Sequence, residues 1–167
     1  MNGCLVNNEV RALIADIGAT HSRVASVSCD DLTSYHSVEI FKSAEFNGPD
    51  EIIQHYCAEK NIDLPSLILL AIAAPVELND IQFVNNHWAF KLTDIQERLL
   101  PAQVHFFNDV EMLGFALPHL PNTSLLQIGQ GELQEKAPKL AISLGSGIGT
   151  SLVIHHHDWL SIPSEGG

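Results

Sequence analysis

Apolar and polar positions along the chain divide it into short strands and amphipathic helices. Val10 to Ala15 is apolar apart from Arg11 and runs into Asp16-Ile17-Gly18-Ala19-Thr20, after which Arg23 to Val27 is again strand-like, which predicts strand, turn, strand. Thr33 to Phe41 mixes β-branched and aromatic residues with polar ones and predicts a third strand of the same meander. The period then changes. Pro49 and Asp50 open a stretch with Ile52, Ile53, Tyr56 and Cys57 at helical spacing, closed by Asn61 and Pro65. Leu67 to Ala74 is nearly all apolar, the pattern of a strand buried on both faces in the middle of a sheet, and Pro75 ends it.

Beyond an irregular segment from Asn79 to Phe90, Thr93 is expected to cap a short helix through Leu99, and Val104 to Phe107 is another buried strand. Met112, Leu113, Phe115, Ala116 and Leu117 make an amphipathic helix that stops near Pro118 and Pro121. Leu125 to Ile128, Leu140 to Leu144 and Ser151 to His155 are further predicted strands separated by glycine-rich turns. This order implies a mixed α/β sheet, with a boundary expected at Pro118–Asn122.

Composition narrows the function classes. With 46% apolar and 17% charged residues the chain is neither a disordered segment nor a charged tail. Eight Lys plus Arg against twenty Asp plus Glu, a formal charge of −12, leave no diffuse basic surface for nucleic acid or an anionic membrane. Cys4, Cys29 and Cys57 lie far apart without C-x-x-C spacing, so neither a disulfide framework nor a zinc knuckle is supported, and a reducing compartment fits. No apolar run approaches the roughly 20 residues that span a bilayer, and no secretory signal is apparent, so the expected location is the cytoplasm.

Four segments could carry chemistry. The turn at Asp16–Thr20 offers backbone N–H groups for phosphate oxygens, a Thr hydroxyl, and a carboxylate able to hold Mg²⁺, or it is simply a hairpin turn. A second glycine-rich turn, Gly145-Ser146-Gly147-Ile148-Gly149-Thr150, also joins two strands; a dinucleotide loop would open a helix instead. Together the two turns suggest a nucleotide clamped between two lobes. Asn108-Asp109 stands between a buried strand and a helix, either as an N-cap or as a carboxylate able to accept a proton from an alcohol. Asn85-Asn86-His87-Trp88 could offer amide hydrogen bonds and an aromatic wall to a polar ligand, or a packed Trp. His155-His156-His157 is not expected to ligate one ion, because successive strand residues point to opposite faces.

Taken in order, these segments resemble the bacterial glucokinases, members of the actin-like ATPase and sugar-kinase superfamily. Ala15-Asp16-Ile17-Gly18-Ala19-Thr20, with Arg23 behind it, is similar to the first phosphate motif, and Val84-Asn85-Asn86-His87-Trp88-Ala89-Phe90 to the sugar loop. Phe107-Asn108-Asp109 resembles the catalytic pair, Gly145-Ser146-Gly147-Ile148-Gly149 the second phosphate motif, and Pro163-Ser164-Glu165-Gly166-Gly167 the Pro-x-Glu-Gly-Gly sugar motif. The resemblance implies a ribonuclease-H-like mixed sheet with flanking helices as the small lobe over 1–119, plus the first strands of a large lobe over 120–167.

It further implies ATP- and Mg²⁺-dependent phosphorylation of the 6-hydroxyl of glucose. Asp109 would be the general base, and Asn85, Asn108 and Glu165 would bind sugar hydroxyls. Ala15, Asp16, Ile17, Gly18, Ala19 and Thr20 would form the phosphate side, with Asp16 toward the metal, and Gly145, Ser146 and Gly147 the other side of the nucleotide. Ala19 stands where the family usually has a second glycine, so its methyl is expected to restrict the turn or its approach to phosphate. The chain stops at Gly167, before further sugar contacts and the adenosine site of the family, so it is expected to be an amino-terminal portion without turnover of its own. A non-catalytic sugar-binding module, a kinase for a related hexose, and a portion that forms a homodimer through an apolar lobe interface are the alternative readings.

Overall fold

The computed structural model describes residues 10–28, 31, 34–83, 86–144 and 148–165. The chain forms two compact units, Met1–Phe107 and Asn108–Gly167. In chain order the first contains strands β1 (Val10–Ile17), β2 (His21–Ser28) and β3 (Tyr35–Lys42), helix α1 (Pro49–Lys60), strands β4 (Leu67–Ile72), β5 (Asp80–Gln82) and β6 (Ala89–Lys91), helix α2 (Leu92–Arg98) and strand β7 (Gln103–Asn108).

The main sheet has the order β3-β2-β1-β4-β7, the ribonuclease-H-like arrangement. The first three strands form an antiparallel meander, whereas β4 runs parallel to β1 with Ala12 opposite Leu67 and Ile17 opposite Ile72. A parallel neighbour needs a crossover, which here includes α1. The Gln103 N–H donates to the Ser66 carbonyl at 2.8 Å, which starts β7 beside β4, so β1, β4 and β7 share one carboxyl edge. Open α/β sheets place ligands at that edge.

The core forms where the sequence is most apolar. Ile68, Leu70 and Ile72 of β4, Leu13 and Ile17 of β1, and Ile52, Ile53 and Tyr56 of α1 are all fully buried. Burying each such side chain contributes about 2 kcal/mol before entropic costs. Pro49 opens α1, and Asn61, in the left-handed region at φ 52°, ends it. Cys57 lies buried on the same helix, and burial pushes its thiol pKa up, with the charge of Asp63 adding to the shift; Cys4 and Cys29 lie outside the described residues.

The local predictions fail at identifiable places. The segment from Asn79 to Phe90, expected to be irregular, contains the β5–β6 hairpin. Thr93 does not cap α2. The helix begins at Leu92, and Asn79 reaches it from 14 residues upstream, accepting from the Thr93 N–H through Oδ1 at 3.1 Å and from the Leu92 N–H through its carbonyl at 2.9 Å. Trp88 is in the core at 1% exposure, its Nε1 donating to the Phe46 carbonyl and its ring edge-on to Phe83, so it is a packing residue and not a ligand wall.

The second unit contains helix α3 (Asp109–Ala116) and strands β8 (Lys139–Leu144), β9 (Ile148–His155) and β10 (Trp159–Glu165) in an antiparallel sheet of order β10-β9-β8. The compact units thus divide before α3, whereas composition places its boundary at Pro118–Asn122. β10 has no counterpart among the predicted strands. Leu125–Ile128, expected to be a strand, has no regular structure; Leu126 and Ile128 are 87% and 92% exposed, and no neighbouring strand satisfies the backbone. Only His155 of the histidine tract is in a strand, its ring edge-on to Trp159, while His156 and His157 lie in the turn. The sheet face carrying Leu140, Ile142, Leu144, Leu152, Leu160 and Ile162 is exposed.

Candidate functional site

Asp16 and Ile17 continue β1, so the phosphate-type turn comprises Gly18, Ala19 and Thr20 alone. The carbonyls of these three successive residues are each gripped from elsewhere. Ser43 Oγ donates to the Gly18 carbonyl at 2.7 Å, Asn86 Nδ2 to the Ala19 carbonyl at 2.8 Å, and the Ser43 N–H to the Thr20 carbonyl at 3.0 Å. Ser43 is itself fully buried and shares a 3.0 Å hydrogen bond with Ser22 Oγ. In a planar trans peptide the N–H of the next residue points away from the carbonyl. Fixing the Gly18 and Ala19 carbonyls therefore directs the Ala19 and Thr20 N–H groups to the opposite side, as an anion cradle requires.

Gly18 is required by space and not by dihedral angle, because a Cβ there would lie 2.8 Å from the His21 carbonyl oxygen. Ala19 has no positive φ, so its methyl does not strain the turn. Ala15 and Ile17 face the core, which excludes phosphate contact through their side chains. Asp16 points the other way. It is 50% exposed and accepts from Arg23 Nη1 at 2.8 Å, the two residues being directly opposite on β1 and β2. Among the described residues no group of three or more His, Cys, Asp and Glu could hold a metal ion by itself. A single exposed carboxylate beside a phosphate cradle does suit Mg²⁺, which binds through one or two carboxylates plus substrate phosphates.

In the second unit, Asn108 is the N-cap of α3, its Oδ1 accepting from the Val110 N–H at 3.0 Å and the Glu111 N–H at 3.2 Å. Asp109 Oδ1 also accepts from the Val110 N–H, at 2.9 Å, which holds the carboxylate against the positive end of the helix. The helix lies on β9 and β10 through absent side chains. A Cβ on Gly114 would collide with Ser161 Oγ, and one on Gly149 with Val110 Cγ2. Ser161 Oγ donates to the Glu111 carbonyl at 2.8 Å and shares a 2.6 Å hydrogen bond with Ser151 Oγ. Gly149 is opposite Glu165 in the β9–β10 register. The first turn of α3, with Asp109, is thereby brought to the end of the sheet where β10 finishes at Glu165.

Asn85, Gly145, Ser146 and Gly147, and the side chain of Glu165, lie outside the described residues. Sequence reasoning missed Ser43, whose only local signal is a small polar residue between β3 and α1, and it gave Gly149 no packing role.

The chain is similar to known proteins over most of its length. The glucokinase of Agrobacterium fabrum (strain C58) is 33% identical over 156 residues, which cover 93% of this chain and 46% of that protein. The structure of a glucokinase from an Antarctic psychrotroph superposes with a TM-score of 0.80 at 24% identity, over 93% of this chain and 50% of that one. A ROK family glucokinase from Streptomyces griseus, solved in complex with glucose and AMPPNP, superposes with a TM-score of 0.54 at 20% identity, over 86% and 44%. The chain spans about half the length of the curated relatives it matches. The profile of the glucokinase family matches residues 13–167, and the chain belongs to that family.

Proposed function

We propose that this chain is the amino-terminal portion of an ATP-dependent glucokinase, which transfers the γ-phosphoryl group of ATP to the 6-hydroxyl of glucose. The observation that carries the reading is the Gly18–Thr20 turn at the carboxyl edge of the sheet, its carbonyls held so that its N–H groups face outward. The Streptomyces griseus relative, solved with glucose and AMPPNP, supports the choice of substrates.

In this reading Asp16, Gly18, Ala19 and Thr20 face the phosphates, Gly145, Ser146 and Gly147 face the other side of the nucleotide, and Asn85, Asn108 and Glu165 bind sugar hydroxyls. Asp109 orients the 6-hydroxyl and takes its proton as that oxygen bonds to phosphorus and the bond to the bridging oxygen of ADP breaks. With a loose transition state its main contribution is orientation, followed by late proton removal. Asp16 would hold Mg²⁺, which when bound neutralises charge on the phosphate oxygens. Residues 1–119 are the small lobe and 120–167 the opening of the large lobe.

The protein is cytoplasmic in this reading; no helix among the described residues is long and apolar enough to cross a membrane. Its partners are glucose and ATP, and the exposed apolar face of β8–β10 is a surface for self-association, which light scattering detects. Because the chain spans half the length of its relatives, turnover is measured after joining it in register to the carboxyl-terminal half of the Agrobacterium fabrum glucokinase. Glucose 6-phosphate formation that requires both glucose and ATP is expected from the fusion. A fusion that melts cooperatively yet forms no product would refute the reading.

A further inference from the structure

Asn86 is absent from the roles assigned above, yet it joins two of the motifs. Its Nδ2 donates to the Ala19 carbonyl across 67 residues of chain, while Oδ1 of the same amide is buried without a hydrogen-bond partner. A buried amide with one end unmet is a poor device for stability. An apolar side chain of similar size would remove the unmet Oδ1 but also leave the Ala19 carbonyl without its donor, two effects of opposite sign and similar size. What an apolar side chain cannot do is orient a peptide plane. Ser43 grips the carbonyls on either side, Gly18 and Thr20, so the plane between Ala19 and Thr20 is the one that depends on Asn86.

We propose that Asn86 is a positioning residue for phosphate binding. Its hydrogen bond sets the Ala19–Thr20 peptide so that the Thr20 N–H is presented to a phosphate oxygen. Because Asn86 belongs to the segment that resembles the sugar loop, the same bond ties that segment to the phosphate turn. Rotation of this one peptide would turn the donor away while leaving the strands on either side in register.

The inference rests on the phosphate-binding reading above, and one experiment separates the two. Tripolyphosphate with Mg²⁺ is titrated into the full chain, wild type and Asn86→Leu, while backbone amide resonances are followed, and thermal melting is measured in parallel. Wild type should show shifts centred on Ala19 and Thr20. Asn86→Leu should bind about tenfold more weakly, the loss expected for one hydrogen bond to a charged group, with little change in melting temperature because removal of the unmet Oδ1 offsets the lost bond. Asn86→Ala gives the same comparison if the leucine variant does not fold. A variant that melts lower but binds tripolyphosphate as well as wild type would make Asn86 a structural residue and overturn the inference, leaving the phosphate reading intact. Absence of any shift at Ala19 and Thr20 in wild type would overturn both.

Discussion

The two units hold their candidate functional residues by opposite means. In the first, donors from distant segments, Ser43 and Asn86, reach a three-residue turn and grip its carbonyls one by one. In the second, glycines at 114 and 149 let α3 settle on its sheet, and hydroxyls of Ser151 and Ser161 fill the remaining space. The difference follows from what each would present under the proposed function. There the first unit offers backbone N–H groups, so peptide planes have to be fixed; the second offers the Asp109 side chain, so the helix bearing it has to be placed. Loss of a donor should therefore damage the first unit locally, whereas an added methyl should displace a whole element of the second.

The strongest way to break this contrast is Gly114→Val. Its Cβ would collide with Ser161 Oγ and lie 2.7 Å from Ser151 Oγ, in a tightly packed contact between helix and sheet. Overpacking of this kind is expected to destabilise by about 3 kcal/mol, read as a lower urea midpoint at unchanged slope. Ser43→Ala should cost less, about 2 kcal/mol, by leaving the half-buried Gly18 carbonyl and the buried Ser22 hydroxyl without their partner. Its effect should also be local, with amide chemical-shift changes centred on Ala19 and Thr20 and little change in β4 or α1. If Ser43→Ala unfolds the chain as severely as Gly114→Val, the contrast between local and element-wide effects is wrong.

Which of these features the sequence displays depends on how far apart the partners are. Runs of apolar residues gave away β4 and β7, and helical spacing with Pro49 and Asn61 located α1 to within a residue. These signals are local, because burial of a strand or a helix face imprints a period on contiguous residues. The turn after β1 is legible for the same reason, with Gly18 through Thr20 adjacent in the chain. Its supports are not. Ser43 and Asn86 act on residues 25 and 67 positions away; nothing near Ser43 marks it, and the segment of Asn86 suggests a ligand contact rather than a bond to the Ala19 carbonyl. Thr93 shows the converse: it has the right chemistry for a cap, but Asn79 supplies that hydrogen bond from another segment. Leu125–Ile128 likewise has strand composition and no strand to pair with. Asn108 was read both as cap and as ligand residue, and its Oδ1 is engaged in the cap.

The smallest expected effect concerns a control away from the site. Glu51 accepts from the Asn47 backbone N–H at 2.9 Å and from its side chain, which holds the Glu51 carboxyl below the ordinary glutamate value of 4.5. A depressed folded-state pKa contributes stability above the unfolded value and loses it as pH falls through the folded one. Glu51→Gln should therefore lower the melting temperature slightly at pH 7, and the gap to wild type should close as pH drops below about 4.5. A gap that stays constant to pH 3 would show that the charge of Glu51 contributes nothing to the start of α1.

The central claim, that Asp109 is placed by α3 as the base of a sugar kinase, is tested most directly by Asp109→Asn in the fusion with the Agrobacterium fabrum carboxyl-terminal half. Asparagine keeps the size and an acceptor for the Val110 N–H, so the helix start should survive. The account predicts a kcat lower by about 10²–10⁴-fold, with glucose affinity, measured by calorimetry, changed by much less. Turnover at the unsubstituted rate with Asn at 109 would contradict it.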